Sequence, residues 1–159
     1  MKSRVYLETS VVSYLTALPS RDVVRAGHQQ STLEWWAARD AFELFVSEVV
    51  LTEARMGDAA AAGRRLAALD GLPALVAVAE PHALAAVLLS AAVMPRSAAI
   101  DALHVAIATV HGIDFLLTWN CSHIANAVMR PRIEAVCREH GFEPPTICTP
   151  EELRAQEEQ

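Results

Sequence analysis

The stretch "SAAIDALHVAIATVHGIDFLLTWN", residues 97–120, joins an apolar helix to a strand and so decides the fold. The helical part has a strongly apolar body, with Ser97 placed to cap its N-terminus and Gly112 placed to end it. The run "DFLLTW" that follows favours a strand, which leads directly into the polar residue Asn120. A helix followed by a strand is the repeating unit of an α/β protein.

The N-terminal stretch "RVYLETSVVSYL", residues 4–15, has the same two elements in the opposite order. Its apolar residues 5–7 favour a strand, and Thr9 or Ser10 is placed to cap the helix that follows. Glu8 therefore lies at the carboxyl end of the predicted strand. Ligands of parallel α/β sheets bind beyond the carboxyl ends of the strands, so an acid at this position is a candidate site residue.

Strands and helices continue to alternate along the rest of the chain. Three further strands are predicted: "FELFVS" (42–47), "LPALVAVAE" (72–80, expected to be buried) and "TICT" (146–149). Five further helices are predicted: 21–39, 48–57 with Ser47 as its cap, 58–69, 81–93 beginning at Pro81, and 124–140. This alternation predicts a mainly parallel sheet that is covered by helices on both faces.

Length and composition predict one soluble domain. The 159 residues suffice for a single core, and we expect one domain over residues 1–150 with a C-terminal tail over 151–159. Although 53% of the residues are hydrophobic, no run approaches the roughly 18 apolar residues that cross a membrane. The N-terminal segment lacks the pattern of a secretory signal, so we expect a cytoplasmic protein. Three widely spaced cysteines predict neither disulfides nor a structural zinc site.

The formal net charge of −6 disfavours nonspecific binding to nucleic acid. The charge does not exclude a local basic surface, because arginines cluster in pairs at Arg64/Arg65 and Arg130/Arg132. The planar guanidinium group of arginine suits phosphate well. A specific phosphate-containing substrate is therefore compatible with the acidic composition.

Two acids, Glu53 and Asp101, lie on predicted helices in largely apolar contexts. Each acid also has an ordinary explanation: Glu8 as a solvated strand end, Glu53 as a partner of Arg55, and Asp101 as an acid favoured near a helix start. Several ionised carboxylates on buried faces, however, require a cation. Hard divalent ions prefer carboxylate oxygens, and they support hydrolysis of phosphodiesters.

Four stretches together resemble PIN-domain proteins, in particular the VapC-like toxins of type II toxin–antitoxin systems. They are "YLETSVVSYL", "SEVVLTEARMG", "DALHVAIATVHGIDFLLTWN" and "PTICTPEEL", and they span nearly the whole chain in order. The resemblance implies a three-layer α/β/α fold whose acids bind Mg²⁺ or Mn²⁺ and cleave RNA. It also implies a homodimer that is inhibited by a cognate antitoxin. The four implied catalytic positions are Glu8, Glu53, Asp101 and Asn120, with the first three as metal ligands.

The chain departs from the family pattern at two of these positions. The first acid is typically aspartate, where this chain has Glu8, and the fourth is typically aspartate, where it has Asn120. An asparagine still offers an oxygen ligand but removes one negative charge, which makes a second metal position doubtful. A PIN fold that binds RNA or protein without cleavage is therefore the alternative function, and a nuclease acting on DNA also stays open.

Four further side chains have open roles. His104 shares a helical face with Asp101, three residues before it, which favours a supporting or core position over metal ligation. His123 is expected to contact substrate or to cap the helix that follows. Trp35 and Trp36 are expected to pack in the core or a dimer interface, with stacking on bases as the alternative.

Overall fold

The computed structural model of the chain describes residues 1–154, in which five strands alternate with seven α-helices. The strands are β1 (Ser3–Leu7), β2 (Phe42–Ser47), β3 (Ala74–Leu75), β4 (Phe115–Leu117) and β5 (Thr146–Cys148). The helices are α1 (Thr9–Thr16), α2 (Val23–Ala37), α3 (Glu48–Ala54), α4 (Ala59–Leu69), α5 (Ala79–Ser90), α6 (Ala99–Val110) and α7 (Met129–Glu139). Short 3₁₀ turns, Arg39–Ala41 and Arg96–Ala98, precede β2 and α6.

The strands form one parallel sheet in the order β3-β2-β1-β4-β5. Crossovers between parallel strands are right-handed, so connections toward β3 and connections toward β5 lie on opposite faces of the sheet. The contacts agree with this arrangement, because α1 packs against α2, α3 and α4, whereas α5 packs against α6 and α7. The predicted three-layer α/β/α fold with a central parallel sheet is confirmed.

The centre of the sheet positions the candidate site. Leu7, the last residue of β1, is paired in register with Leu117, the last residue of β4. Glu8 and Thr118 therefore leave adjacent strands at the same edge of the sheet. Both Leu7 and Leu117 are fully buried, so the core holds this edge in place.

The structure confirms two of the residues predicted to bound helices and contradicts a third. Gly112 adopts a left-handed φ of +65° directly after α6, as its predicted role requires. Ser47 caps α3, because its hydroxyl accepts a hydrogen bond from the backbone N–H of Val50 at 3.2 Å. Pro81, however, does not begin α5, which starts two residues earlier at Ala79.

The caps predicted for α1 and α6 are wrong. Glu8 caps α1 in place of Thr9 or Ser10, since its carboxylate accepts the backbone N–H of Ser10 at 3.0 Å. A carboxylate at the end of β1 already faces the helix N-terminus, where negative charge is favoured. Ser97 lies within the 3₁₀ turn before α6, so it cannot take the extended conformation of a capping residue, and α6 has no side-chain cap.

Two other predicted elements are shorter than expected. The stretch 72–80 contributes only the two-residue strand β3 at the sheet edge, where Ala74 is exposed and Leu75 is half-buried, so the expected burial is wrong. The helix predicted over 124–140 begins at Met129, because the side chain of Asn126 accepts the backbone N–H groups of Val128 and Met129. Asn126 thus supports a turn where apolar periodicity predicted a helix.

The C-terminal segment packs against the domain as far as it is described. Leu153 is buried, and the Glu152 carboxylate pairs with Arg130 at 3.2 Å. Residues 155–159 of the predicted tail lie outside the described residues, and the domain boundary at 150 stays a prediction. Over residues 1–154, none of the helices combines the length and the apolar character needed to cross a bilayer. The three cysteines are free thiols, two of them buried.

The contrast between two glycines tests the role of Gly112. Gly112→Ala forces a side chain into the left-handed region, so we expect the free energy of unfolding to fall by about 1 kcal/mol. In Gly27→Ala, the added methyl group in α2 meets nothing within 4 Å. The substitution lowers the backbone entropy of the unfolded chain, so the free energy of unfolding should rise by about 0.5–1 kcal/mol. Urea unfolding of both variants measures the difference. Equal effects would contradict the assigned backbone role.

Candidate metal centre

Glu8 is held in a fixed orientation at the carboxyl end of β1. Its side chain is only 5% exposed, which rules out the solvated strand end. One carboxylate oxygen, Oε1, accepts hydrogen bonds from the hydroxyls of Ser10 and Thr118, each at 2.5 Å. The other, Oε2, accepts the backbone N–H of Ser10. Neutral donors thus satisfy this buried carboxylate.

Glu53 faces Glu8 from α3. Its Oε1 atom accepts hydrogen bonds from the Thr9 hydroxyl at 2.7 Å and from His104 Nε2 at 2.6 Å. Burial by itself raises the pKa of Glu53, but the hydrogen bonds from His104 and Thr9 outweigh it and lower the pKa below its usual value. The expected alternative, a surface pair with Arg55, is wrong, because the partners of Glu53 lie on α1 and α6.

Folding brings ligand atoms of Glu8, Glu53 and His104 within 4.8 Å of one another. Glu8 directly follows β1, whereas Glu53 lies on α3 and His104 on α6, so the three residues are far apart in sequence. Two carboxylates at this separation repel each other unless donors or a cation compensate their charge. The arrangement is therefore one that a divalent cation would stabilise.

Asp101 and Asn120 form a second group, which His123 joins. The Asp101 Oδ2 atom lies 2.9 Å from His123 Nδ1, and Asn120 Oδ1 accepts the His123 backbone N–H at 3.0 Å. The backbone N–H of Asn120 in turn donates to the Thr118 hydroxyl, which donates to Glu8. Asp101 is not among the side chains within 4.8 Å, but it lies on α6 one turn before His104. The two groups are thus linked.

Two of the three acids, Glu53 and Asp101, each keep one carboxylate oxygen that accepts no hydrogen bond from the described residues, whereas both oxygens of Glu8 accept hydrogen bonds. Among residues 1–154, Glu53 Oε2 and Asp101 Oδ1 accept no hydrogen bond, while the partner oxygen of each is held by donors. None of the ion pairs found in this part of the chain joins Glu8, Glu53 or Asp101 to an arginine or lysine. Oxygen-rich carboxylate sets of this kind suit Mg²⁺ or Mn²⁺.

Sequence patterns did not predict the hydrogen bonds that Thr118, His104 and His123 make to the acids. Thr118 looked like a strand residue, and its fully buried hydroxyl bonds to a residue 110 positions away. His104 gave a partial signal, because its spacing from Asp101 placed it on the same helical face. His123 was expected to cap a helix or contact substrate, whereas its ring contacts Asp101.

The clustered arginines are largely occupied by internal contacts. Arg65 donates to the backbone oxygens of Ala54 and Met56 at the end of α3, and Arg64 donates to the Thr16 oxygen at the end of α1. They therefore stabilise the helix that carries Glu53 and the helix that Glu8 caps.

The two neighbouring tryptophans pack against other side chains. Trp35 is buried and stacks on Phe42, while the guanidinium of Arg39 covers the ring of Trp36 at 4.4 Å. The arrangement supports core packing over stacking on bases.

Comparison with known proteins identifies the fold. No protein-family model matches the chain, and no curated protein sequence matches it. A chain of VapBC2 from Rickettsia felis, in a crystal structure bound to a DNA fragment from their promoter, is structurally similar with a TM-score of 0.55. The similarity covers 92% of this chain and 98% of that chain at 15% sequence identity. It confirms the PIN-like fold predicted from the motifs.

The lowered pKa of Glu53 predicts a pH-dependent contribution to stability. Because the native pKa lies below the unfolded one, near 4.5, the contribution is complete above that value and lost as pH falls through the native pKa. Glu53→Gln removes this titration. The stability difference between wild type and variant should therefore shrink from pH 5 to pH 3 in urea unfolding with EDTA present. A stability difference that grows as the pH falls would contradict the lowered pKa of Glu53.

Proposed function

We propose that this protein is a metal-dependent endoribonuclease in which Glu8, Glu53 and Asp101 hold one Mg²⁺ or Mn²⁺. One observation carries the proposal: Glu8 and Glu53 approach within 4.8 Å and have hydroxyl, amide and imidazole donors in place of arginine or lysine partners in the described residues. A pair of buried or half-buried carboxylates without a cationic partner is unfavourable unless a cation binds.

The chain's own residues would orient the ligands for this reaction. Ser10 and Thr118 fix the Glu8 carboxylate, and Thr9 fixes that of Glu53. His123 holds one oxygen of Asp101 and leaves the other available. When bound, a divalent ion lowers the pKa of a coordinated water and stabilises charge on a phosphodiester. Asn120 supports the site through His123 and supplies a neutral oxygen.

The biological setting is proposed from the resemblance and from the structurally similar chain. That chain belongs to VapBC2, which was crystallised with promoter DNA. We infer that this protein is likewise the toxin of a toxin–antitoxin pair, acts on RNA in the cytoplasm and is inhibited by a cognate antitoxin. Co-expression with the product of a small neighbouring gene tests the pair: relief of RNA cleavage is expected, and unchanged cleavage would contradict it.

A homodimer is proposed from the apolar surface around the α1–α2 junction. Leu18, Val23 and Val24, which are near one another in sequence, are 72%, 85% and 65% exposed, respectively, and exposed apolar side chains favour association. Sedimentation equilibrium of the purified protein should give twice the 17.2 kDa monomer mass. A monomer over the whole micromolar range would contradict the dimer.

Asn120 supports the alternative of a noncatalytic binding module. Its side-chain oxygen already accepts the backbone N–H of His123, and an amide contributes no charge to a metal site. Titration calorimetry with Mn²⁺ distinguishes the two functions. Absence of binding at millimolar Mn²⁺ would favour the binding module, and saturable binding at the acids would favour the nuclease.

Asp101→Asn should abolish metal-dependent RNA cleavage. The loss should exceed about 100-fold, because outer-shell changes alone lower activity by roughly 10–100-fold, and Mn²⁺ affinity should fall with it. Labelled RNA and single-stranded DNA are assayed side by side with and without Mg²⁺, and preferential cleavage of RNA is expected.

The matched control is Glu43→Gln, which removes one negative charge from an exposed residue near the amino end of β2. Its cleavage rate and metal affinity should equal those of the wild type. Cleavage by Asp101→Asn at the control's rate would disprove the assignment of Asp101.

A further inference from the structure

A buried chain of hydrogen bonds runs from β2 to the candidate metal centre. The Ser47 hydroxyl lies 2.8 Å from the Tyr6 hydroxyl, which lies 2.7 Å from His104 Nδ1. The other ring nitrogen of His104, Nε2, lies 2.6 Å from Glu53 Oε1. Ser47, Tyr6 and His104 are all fully buried. Such a continuous polar chain through a core is unfavourable unless each donor meets an acceptor.

Counting donors and acceptors gives this chain a direction. An ionised Glu53 carboxylate only accepts, so the proton between it and His104 belongs to Nε2. Nδ1 of a neutral imidazole is then bare and accepts from the Tyr6 hydroxyl. Burial raises the pKa of Tyr6 far above its ordinary value, so this hydroxyl keeps its proton.

Ser47 is the last donor in this series of hydrogen bonds. The Tyr6 oxygen, having donated its hydrogen to His104, accepts from the Ser47 hydroxyl. The Ser47 oxygen accepts the backbone N–H of Val50 at the start of α3. With a neutral His104, each group in the chain is satisfied in this direction, and the chain ends at α3, the helix that carries Glu53.

The opposite neutral tautomer is incompatible with the contact at Glu53. It would place the bare lone pair of Nε2 2.6 Å from a carboxylate oxygen, and two acceptors at this separation repel each other. Direct metal ligation by Nε2 requires that tautomer. It also requires His104 to lose its contact with Glu53.

We propose that Tyr6 and Ser47 hold His104 in the Nε2–H tautomer, which makes His104 a positioning residue for Glu53 and not a metal ligand. The predicted effect on metal binding rests on the proposed function, whereas the predicted tautomer of His104 does not depend on that function. His104 and Thr9 occupy Oε1 of Glu53, which leaves the remaining oxygen, Oε2, available to a cation. Partners of this kind tune ligand orientation and basicity in metal sites.

The tautomer is measured by long-range ¹H–¹⁵N correlation NMR of protein labelled at the histidine ring nitrogens. We expect His104 to show a protonated Nε2 and a bare Nδ1, both without metal and with saturating Mg²⁺. A protonated Nδ1 with an unprotonated Nε2 in the Mg²⁺-loaded protein would show the tautomer that ligation requires and would overturn the proposal. Protonation of both nitrogens in the metal-free protein would also overturn it.

A pair of tyrosine variants tests the consequence for metal binding. Tyr6→Phe removes the donor to Nδ1 while keeping the ring, so the Mn²⁺ dissociation constant should rise about 10–100-fold. Tyr14→Phe makes the same chemical change where the ring packs against His28 and Trp119, and it should leave the constant unchanged.

The two proposals fail in different ways. If wild-type protein binds no Mn²⁺, the nuclease assignment fails, while the ring nitrogens of His104 still report the tautomer in the metal-free state. If wild type binds Mn²⁺ and folded Tyr6→Phe binds it equally well, the positioning role fails and the nuclease assignment stands. Should Tyr6→Phe not fold, the NMR measurement on the wild-type protein decides the proposal.

Discussion

The close approach of the Glu8 and Glu53 carboxylates is the constraint on which the rest of the site depends. Bringing two negative charges within 4.8 Å of one another at the edge of a core is unfavourable, and the fold offsets it with directed donors. Ser10 and Thr118 donate hydrogen bonds to Glu8, while Thr9 and His104 donate hydrogen bonds to Glu53. These donors satisfy hydrogen bonds, whereas arginine or lysine would cancel the charge. The result is a negatively charged cluster that a bound cation would stabilise, as we propose.

The fold and the position of Glu8 at the end of β1 were predictable because they follow from local patterns. The end of β1 could be recognised from three apolar residues followed by Glu8, and α6 from its apolar body and Gly112. The partners of the acids could not be recognised, since Thr118 and His104 reach them across 110 and 51 residues of chain, respectively. The role of Glu8 as the cap of α1 was also missed, because hydroxyl residues directly after it offered the more usual solution.

The wrong element boundaries have a related cause. The run 72–80 has the composition of a buried strand, but β3 occupies the sheet edge, where pairing on one side supports only two residues. The start of α7 depends on the side chain of Asn126 accepting two backbone N–H groups. Neither the position of a strand in the sheet nor a competing side-chain hydrogen bond is visible in hydrophobic periodicity.

The contacts of the clustered arginines determine whether these side chains are available to bind a phosphate backbone. Arg64 and Arg65 cap helices, and Arg130 pairs with Glu152, so the arginine clusters contribute more to the scaffold than to a basic surface. With a formal net charge of −6, the overall field disfavours nucleic acid. Recognition of RNA would then rely on the metal centre and on contacts close to it.

Crystals soaked in millimolar manganese chloride, with data collected near the manganese absorption edge, test the central claim most directly. The account predicts an anomalous difference peak bonded to carboxylate oxygens of both Glu8 and Glu53, with Asp101 in its coordination sphere and His104 outside it. A peak that avoids either glutamate, or no peak between them at saturating manganese, would contradict it.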